Sequence, residues 1–431
     1  MSDHELRDSV LQKLDRPLPP WVAPVLALLT VLGAATFLLM ALGASSARAW
    51  RDCFVNWLFW TGLAQAGVVF SASQVLAGAR WSHPLRRIAE ASAAFLPISF
   101  VLFLLLWLGR ADIFPWVRAP VEAGPQRFWL RDWFVFGRDG VALLVMYAVS
   151  FWYLVQSLRP DAALLAARGA ARGSWLHARL ARGWSPPGDG AADAEALART
   201  DERQRRLAAA LALVYAVVMS VLGFDLVMAL APHWVSALYG AYFFMGAWLA
   251  ALMTLALATM FWRGHLGLEQ LITARTFHDL GKLCFAFTVF WMYLFFSQFI
   301  VVWYGNLPEE ISAMMLRIAV EPWRSVGIAM MVLVFIVPFW GLMGVVPKQT
   351  PAILGTFAVI SLAGLWLDRW VFVMPSILQT APRAPLGWPE LLVTAGFAGL
   401  WGLSHVWFAR TFPIVSPRLL DRLELEGAQH H

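Results

Sequence analysis

Ten stretches of mostly apolar residues fill the greater part of this chain, each long enough to cross a bilayer core of about 30 Å as a helix. That feature leaves few folds open. Inside lipid every backbone N–H and C=O must find a partner within the protein, and a long continuous apolar run meets that demand as a helix. The spans are expected near residues 21–43, 53–79, 87–109, 139–157, 207–230, 234–262, 279–304, 324–345, 351–375 and 389–409. Only 14% of the residues are charged, whereas soluble domains carry about 25%. The class is an all-α integral membrane protein.

Charge sets the expected orientation. Of the 33 Lys and Arg, twenty-one lie in the N-terminal segment, the even-numbered loops and the C-terminal tail, and nine in the odd-numbered loops. The positive-inside rule then puts both termini in the cytoplasm. A net charge of +6 would suggest a nucleic-acid partner for a soluble protein. Here the basic residues sit between apolar spans, so lipid is the expected partner and nucleic acid is not. Met1 to Pro20 mixes acids and bases without the apolar stretch and cleavage site of a signal peptide, and is expected to stay as a cytoplasmic segment.

The expected organisation is a short N-terminal segment (1–20), spans one to five (21–230), spans six to nine (231–376), and a last span with its tail (377–431). Residues 159–206 read as a linker rich in Ala, Arg and Gly, with a turn-rich Ser185-Pro186-Pro187-Gly188-Asp189-Gly190. Leu164 to Leu180 could lie on the membrane as a basic amphipathic helix. A weak parallel repeat appears when Leu58-Phe59-Trp60-Thr61-Gly62-Leu63-Ala64 is set beside Tyr242-Phe243-Phe244-Met245-Gly246-Ala247-Trp248.

The chain offers little to a redox cofactor. His4, His177, His430 and His431 fall outside the spans, His83, His233, His265 and His278 fall at span ends, and His405 alone falls within one. No haem-attachment motif or cysteine cluster occurs, and Cys53 and Cys284 are expected as buried packing residues. Neither haem nor an iron–sulfur cluster is therefore expected in this chain.

Ionisable residues within apolar segments are functional-site hypotheses by default, because a charge at the bilayer centre costs at least ~2.5 kcal/mol. Glu90, His278, Asp279, Lys282 and His405 fall near the cytoplasmic side, and Asp225, His233, Glu309, Glu310, Asp368 and Arg369 near the outer side. At 100° per residue, Asp279, Lys282, Tyr293, Ser297 and Tyr304 share one face of the seventh span. Such a stripe either holds water and passes protons or glues helices together through hydrogen bonds. Asp225, His233, Asp368 and Arg369 are expected to approach one another, since unpaired ions in a span are costly. Asp368 and Arg369 are adjacent and point about 100° apart, so each is expected to find its partner elsewhere, with Asp225 at comparable depth to Arg369. A structural ion pair and a functional one fit equally, and His233 after Pro232 reads more plainly as a helix-capping residue. Glu309 and Glu310 are expected to open an outer-surface helix after Pro308.

Several of these strings resemble a known family. Phe224-Asp225-Leu226-Val227-Met228 running to Ala231-Pro232-His233-Trp234, Asp279-Leu280-Gly281-Lys282 continuing to Trp303-Tyr304-Gly305-Asn306-Leu307-Pro308-Glu309-Glu310, and Trp366-Leu367-Asp368-Arg369 ending in Met374-Pro375-Ser376 are similar to the ActF-type membrane subunit of bacterial alternative complex III. That subunit belongs to the NrfD-like family, named after the polysulfide reductase membrane subunit. Phe70-Ser71-Ala72-Ser73-Gln74 stands where many relatives carry a histidine-bearing stretch.

The resemblance implies ten helices in two four-helix bundles flanked by the first and last. It implies a bacterial inner-membrane subunit of a respiratory complex that oxidises quinol and reduces a cytochrome c or another acceptor. The implied partners are a homologous NrfD-like membrane subunit, a periplasmic iron–sulfur protein, and multihaem and monohaem cytochrome c subunits. Haem and iron–sulfur clusters would sit in those partners, and the quinone pocket in the sister subunit. This chain would support assembly and proton translocation without being catalytic alone. The physical pattern also fits an independent proton-coupled transporter, and an inert scaffold is a third class.

Overall fold

Ten helices long and apolar enough to cross a membrane make up the body of the computed structural model: α1 (Val22–Leu42), α2 (Ser46–Leu76), α3 (His83–Leu106), α4 (Asp132–Leu164), α5 (Leu197–Leu230), α6 (Tyr239–Leu266), α7 (Ala274–Gly305), α8 (Trp323–Gly341), α9 (Pro351–Leu378) and α10 (Trp388–Thr411). The structure describes residues 13, 16–120, 126–167, 176, 179–180, 191–231, 234–306 and 308–418. No strand occurs among them. This is an all-α, multi-pass membrane protein.

The helices around the expected linker run longer than hydropathy suggests. The fourth helix continues to Ala167, and the fifth begins at Ala191. The segment from Ala191 to Arg206 is polar yet rich in Ala, Glu and Arg, all strong helix formers. Its pairs Arg199–Glu195 (2.6 Å) and Arg206–Glu202 (2.8 Å) support it at i,i+4 spacing. Most of the proposed amphipathic stretch 164–180 lies outside the described residues. After Asn306 a surface helix, Pro308–Ile318, starts at the predicted proline.

Helices α2 to α5 close one four-helix bundle and α6 to α9 another, with α2 against α6 at the seam. The repeat seen in the sequence meets itself there. A Cβ added at Gly62 would stand 2.9 Å from the Cβ of Ala247, so the echoing segments of α2 and α6 touch. Helices α1 and α10 pair with each other and dock against α2 and α3. They approach backbone to backbone, since a Cβ at Gly33 would lie 2.4 Å from Cα of Gly396. Small residues allow this approach where no hydrophobic force draws helices together.

These contacts set the cost of a methyl group at two glycines. Gly33→Ala should lower the apparent melting temperature of the detergent-solubilised protein, because over-packing costs about 1–3 kcal/mol. A Cβ at Gly264 meets nothing within 4 Å. Gly264→Ala should therefore be neutral or stabilising by up to about 1 kcal/mol. Equal shifts for the two would contradict the α1–α10 contact.

Candidate functional site: a buried polar column in the first bundle

One face of α4 carries Asp139, Tyr147, Ser150, Tyr153, Ser157 and Asp161. At 100° per residue these fall within about 120° of arc, and Asp139 to Asp161 covers about 33 Å at 1.5 Å per residue. That is close to the ~30 Å hydrocarbon core. The face points into the bundle: all six are buried save Ser157, which is half-buried. Five of them hydrogen-bond a polar side chain on a neighbouring helix, while the two Asp139 carboxylate oxygens are buried without a hydrogen-bond partner among the described residues.

The richest group lies where α3 begins and α4 ends. Arg87 donates to Glu90 at 2.7 Å and to Asp161 at 2.5 Å. Glu90 also accepts from Ser71 Oγ at 2.6 Å and from Ser157 Oγ at 2.9 Å, and Ser71 shares a 2.8 Å hydrogen bond with Tyr153. Asp161 further accepts from Ser416 Oγ at 2.9 Å, and Arg418 nearby pairs with Asp201. The chain after α10 thus reaches this group. Immediately beyond Glu90, α3 tightens to a 3₁₀ turn over Ala91–Phe95. Pro97 has no N–H for the carbonyl of Ala93 and its ring crowds that carbonyl, so the α-helical ladder breaks there. At Gly67 a Cβ would come within 2.9 Å of Ser92 Oγ, so glycine lets α2 approach this turn.

Two smaller pairs continue along the α4 face. Gln65 Nε2 donates to Ser150 Oγ at 2.8 Å, and Ser99 Oγ bonds Tyr147 Oη at 2.6 Å while Trp57 Nε1 donates to the Ser99 carbonyl at 2.8 Å. At the far end Asp139 is fully buried beside Asp225. Asp225 sits on a π-helical turn, Gly223–Val227, which widens the end of α5; such turns recur at functional sites. It accepts from Trp129 Nε1 at 2.8 Å and pairs with Arg138 Nη2 at 2.6 Å. The Arg138 guanidinium lies 3.8 Å above the Trp129 ring. A cavity of about 120 Å³, lined by Trp129, Asp225, Met228 and Trp234 among others, adjoins this carboxylate. A water needs about 10–15 Å³ of such space, so several fit.

The residues singled out from the sequence fall in different places. Asp225 does not approach Arg369. Phe243 packs against both regions: a Cβ at Gly223, two residues before Asp225, would touch its side chain at 3.1 Å, and the Arg369 guanidinium lies 4.2 Å over its ring. Arg369 instead donates to the Phe243 carbonyl at 2.6 Å and meets its neighbour Asp368 at 3.3 Å. Adjacent residues point about 100° apart on a helix, but the long arginine stem folds back far enough. Tyr242 donates to Asp368, and Gly246 leaves the guanidinium room, since a Cβ there would lie 2.8 Å from Nη2. His233 lies outside the described residues.

Asp279 and Lys282 pair at 2.6 Å as their spacing suggests. The rest of that stripe turns away from the bundle, with Tyr293 61% and Tyr304 85% exposed, and Ser297 is half-buried. His278 is half-buried at the start of α7. Lys348 packs on Gly281 and donates to the carbonyls of Leu342 (2.8 Å) and Met343 (3.0 Å). Burial, and then the charge of Lys282, hold its ammonium below the ordinary lysine range. His405 accepts from Trp262 Nε1 at 3.1 Å and packs against Trp401. Cys53 and Cys284 are buried. Among the described residues no three His, Cys, Asp or Glu side chains gather as a metal site.

Compared with known proteins, the chain matches no family model and no curated sequence.

The column yields a stability test. Arg87→Met would leave Glu90 and Asp161 buried without their counter-ion, and breaking a buried pair costs about 3–5 kcal/mol. The variant should unfold at markedly lower temperature. Arg199→Met, which breaks an exposed pair, should shift stability by less than about 0.5 kcal/mol. If the two variants melt together, the Arg87 group is not the anchor that its burial implies.

Proposed function

We propose that this chain is an NrfD-like membrane subunit of a quinol-oxidising respiratory complex, similar to the ActF-type subunit of alternative complex III, and that its first bundle moves protons. The observation that carries the proton role is the polar column on α4, which covers about the thickness of the hydrocarbon core at 1.5 Å per residue. Carboxylates stand at both ends, Asp161 and Glu90 at one and Asp139 and Asp225 at the other. Hydroxyls of Ser71, Ser150, Tyr147 and Tyr153 lie between and can both donate and accept. Ordered water is the usual connector between such groups. At the far end Asp139 and Asp225 lie side by side, with Arg138 bonded to Asp225 at 2.6 Å and standing 3.8 Å from Asp139.

The link to a respiratory complex rests on the resembling motifs, and the two-bundle architecture fits it. Haem, iron–sulfur clusters and the quinone belong in this reading to the partner subunits. Tyr293 supports a homologous membrane partner. Its hydroxyl projects from the outward face of α7 near mid-span, where lipid offers no hydrogen bond. The basic loops favour a bacterial inner membrane with both termini in the cytoplasm. On that orientation the Arg87 end is the proton entrance.

A proton-coupled transporter is the second reading, favoured by the repeat-related contact of Gly62 with Ala247. Purification under mild detergent separates the two. The complex subunit should arrive with haem-bearing and iron–sulfur polypeptides, and a transporter alone.

Within the complex, Asp139→Asn and Glu90→Gln should leave assembly and quinol oxidation near wild type while lowering protons moved per electron in reconstituted vesicles. Asp279→Asn, half-buried at the start of α7 and outside the column, is the comparator and should change the ratio little. An unchanged ratio in both column variants would reduce the column to structural hydrogen bonding.

A further inference from the structure

Among the described residues the second bundle shows no comparable column. It holds instead a cavity of about 280 Å³ near the surface helix Pro308–Ile318, bounded by α7, α8, α9 and Trp234. Most of the lining is aromatic, Met or aliphatic. Two guanidinium groups interrupt it, Arg317 and Arg324, together with the amide of Gln298.

Arg317 is only 9% exposed, yet every partner it has is neutral. Nε donates to the Val371 carbonyl at 3.1 Å and Nη1 to that of Ala313 at 2.5 Å. Nη2 donates to the Phe372 carbonyl at 3.0 Å and to Ser376 Oγ at 2.5 Å. A guanidinium has five N–H groups, so one on Nη1 remains free. No carboxylate pairs with Arg317 or Arg324 among the described residues. Burial brings the Arg317 guanidinium down to about 10, so it stays charged at neutral pH. A buried cation held only by dipoles still gains from an anion.

The shape says what kind of anion. Helix α8 packs on α7 through its second half, Val332–Gly341, and parts from it toward the surface helix. The cleft therefore opens on a flank where α8 shows apolar side chains such as Ile328, 54% exposed. In a membrane that flank meets acyl chains. Arg324, the second residue of Trp323–Met331, stands at the end of the span, at head-group depth. The ligand that fits is an amphiphile with a negative head and an apolar chain.

We propose that this cavity binds one anionic phospholipid, with its phosphate at Arg317 and Arg324 and an acyl chain in the cleft between α7 and α8. The site does not depend on the proton role of the first bundle.

Native mass spectrometry of the full-length protein in micelles tests this, with phosphatidylglycerol, phosphatidylcholine or inorganic phosphate added. Wild type should retain one phosphatidylglycerol in preference to phosphatidylcholine, and millimolar phosphate should not remove it. Arg324→Gln should weaken that binding about fivefold, the factor for one basic residue near an anionic head group. Arg317→Gln should abolish the preference. Should that variant fail to fold, the rim variant Arg324→Gln still decides. Arg383→Gln, an exposed change at the same end of the bundle, should have no effect. Equal retention of the two lipids, an equal loss in Arg383→Gln, or displacement by inorganic phosphate would each overturn the proposal.

Discussion

An ion held inside a bilayer has to be met by its counter-ion, and that requirement decides which helices of this protein are neighbours. Apolar contact alone cannot make the choice, because lipid tails satisfy an apolar helix as well as another helix does. Arg87 of α3 draws in Asp161 of α4, while Glu90 holds Ser71 of α2. Arg138 of α4 holds Asp225 of α5. Arg369 of α9 is held by the Phe243 carbonyl of α6, and Arg48 of α2 by Glu390 of α10 at 2.5 Å. Each knot joins helices that apolar packing would leave free to slide. Losing one partner strands the other at several kcal/mol, so the knots fix register as well as adjacency.

Small residues do the complementary work. Gly62 against Ala247 brings α2 onto α6, and Gly33 against Gly396 brings α1 onto α10. Around the first contact the two bundles meet through echoing segments, and their interiors differ. The first has filled its interior with polar side chains, from Asp139 to Asp161 along α4. The second buries the pair Asp368 and Arg369 and opens a cleft beside Arg317. A shared frame therefore carries two different interiors.

The ten spans were legible in the sequence because hydropathy over twenty residues is a strong signal. Their ends were less so. Polar helix such as Ala191 to Arg206 looks like linker to a hydropathy window, although its i,i+4 pairs are visible once sought. The site was legible in part. Glu90, Asp225, Asp279, Lys282, Asp368 and Arg369 were found as charges in apolar surroundings. Asp279 and Lys282 pair as their spacing suggests, whereas Asp368 and Arg369 meet each other although adjacency argued for partners elsewhere. The α4 column was missed for a physical reason. Four of its six members are Tyr and Ser, which carry no charge, and Asp161 fell in the presumed linker. The helical spacing of Tyr147, Ser150, Tyr153 and Ser157 was the available clue. A helix face defined by angle also says nothing about which way it points. The stripe on α7 and the column on α4 are alike on a helical wheel, yet one faces outward and the other inward.

That difference in facing decides which stripe can work as a route within this chain. Protons need a path screened from lipid and lined by groups that exchange hydrogen bonds, and α4 supplies both. The end at Asp225 also has a built-in restraint. Arg138 lies stacked on Trp129 and bonded to Asp225, two residues that line the cavity, and stands 3.8 Å from the buried Asp139. A fixed positive charge there opposes a freely diffusing proton, so on the proposed route passage requires the Arg138–Asp225 pair to loosen. The π-helical turn under Asp225 is the element suited to that change, since its widened backbone can return to α-helical pitch and rotate the carboxylate. A charge gate of this kind would let protons move when the protein changes shape and resist leakage when it does not, which is what coupling to an electron-transfer reaction demands.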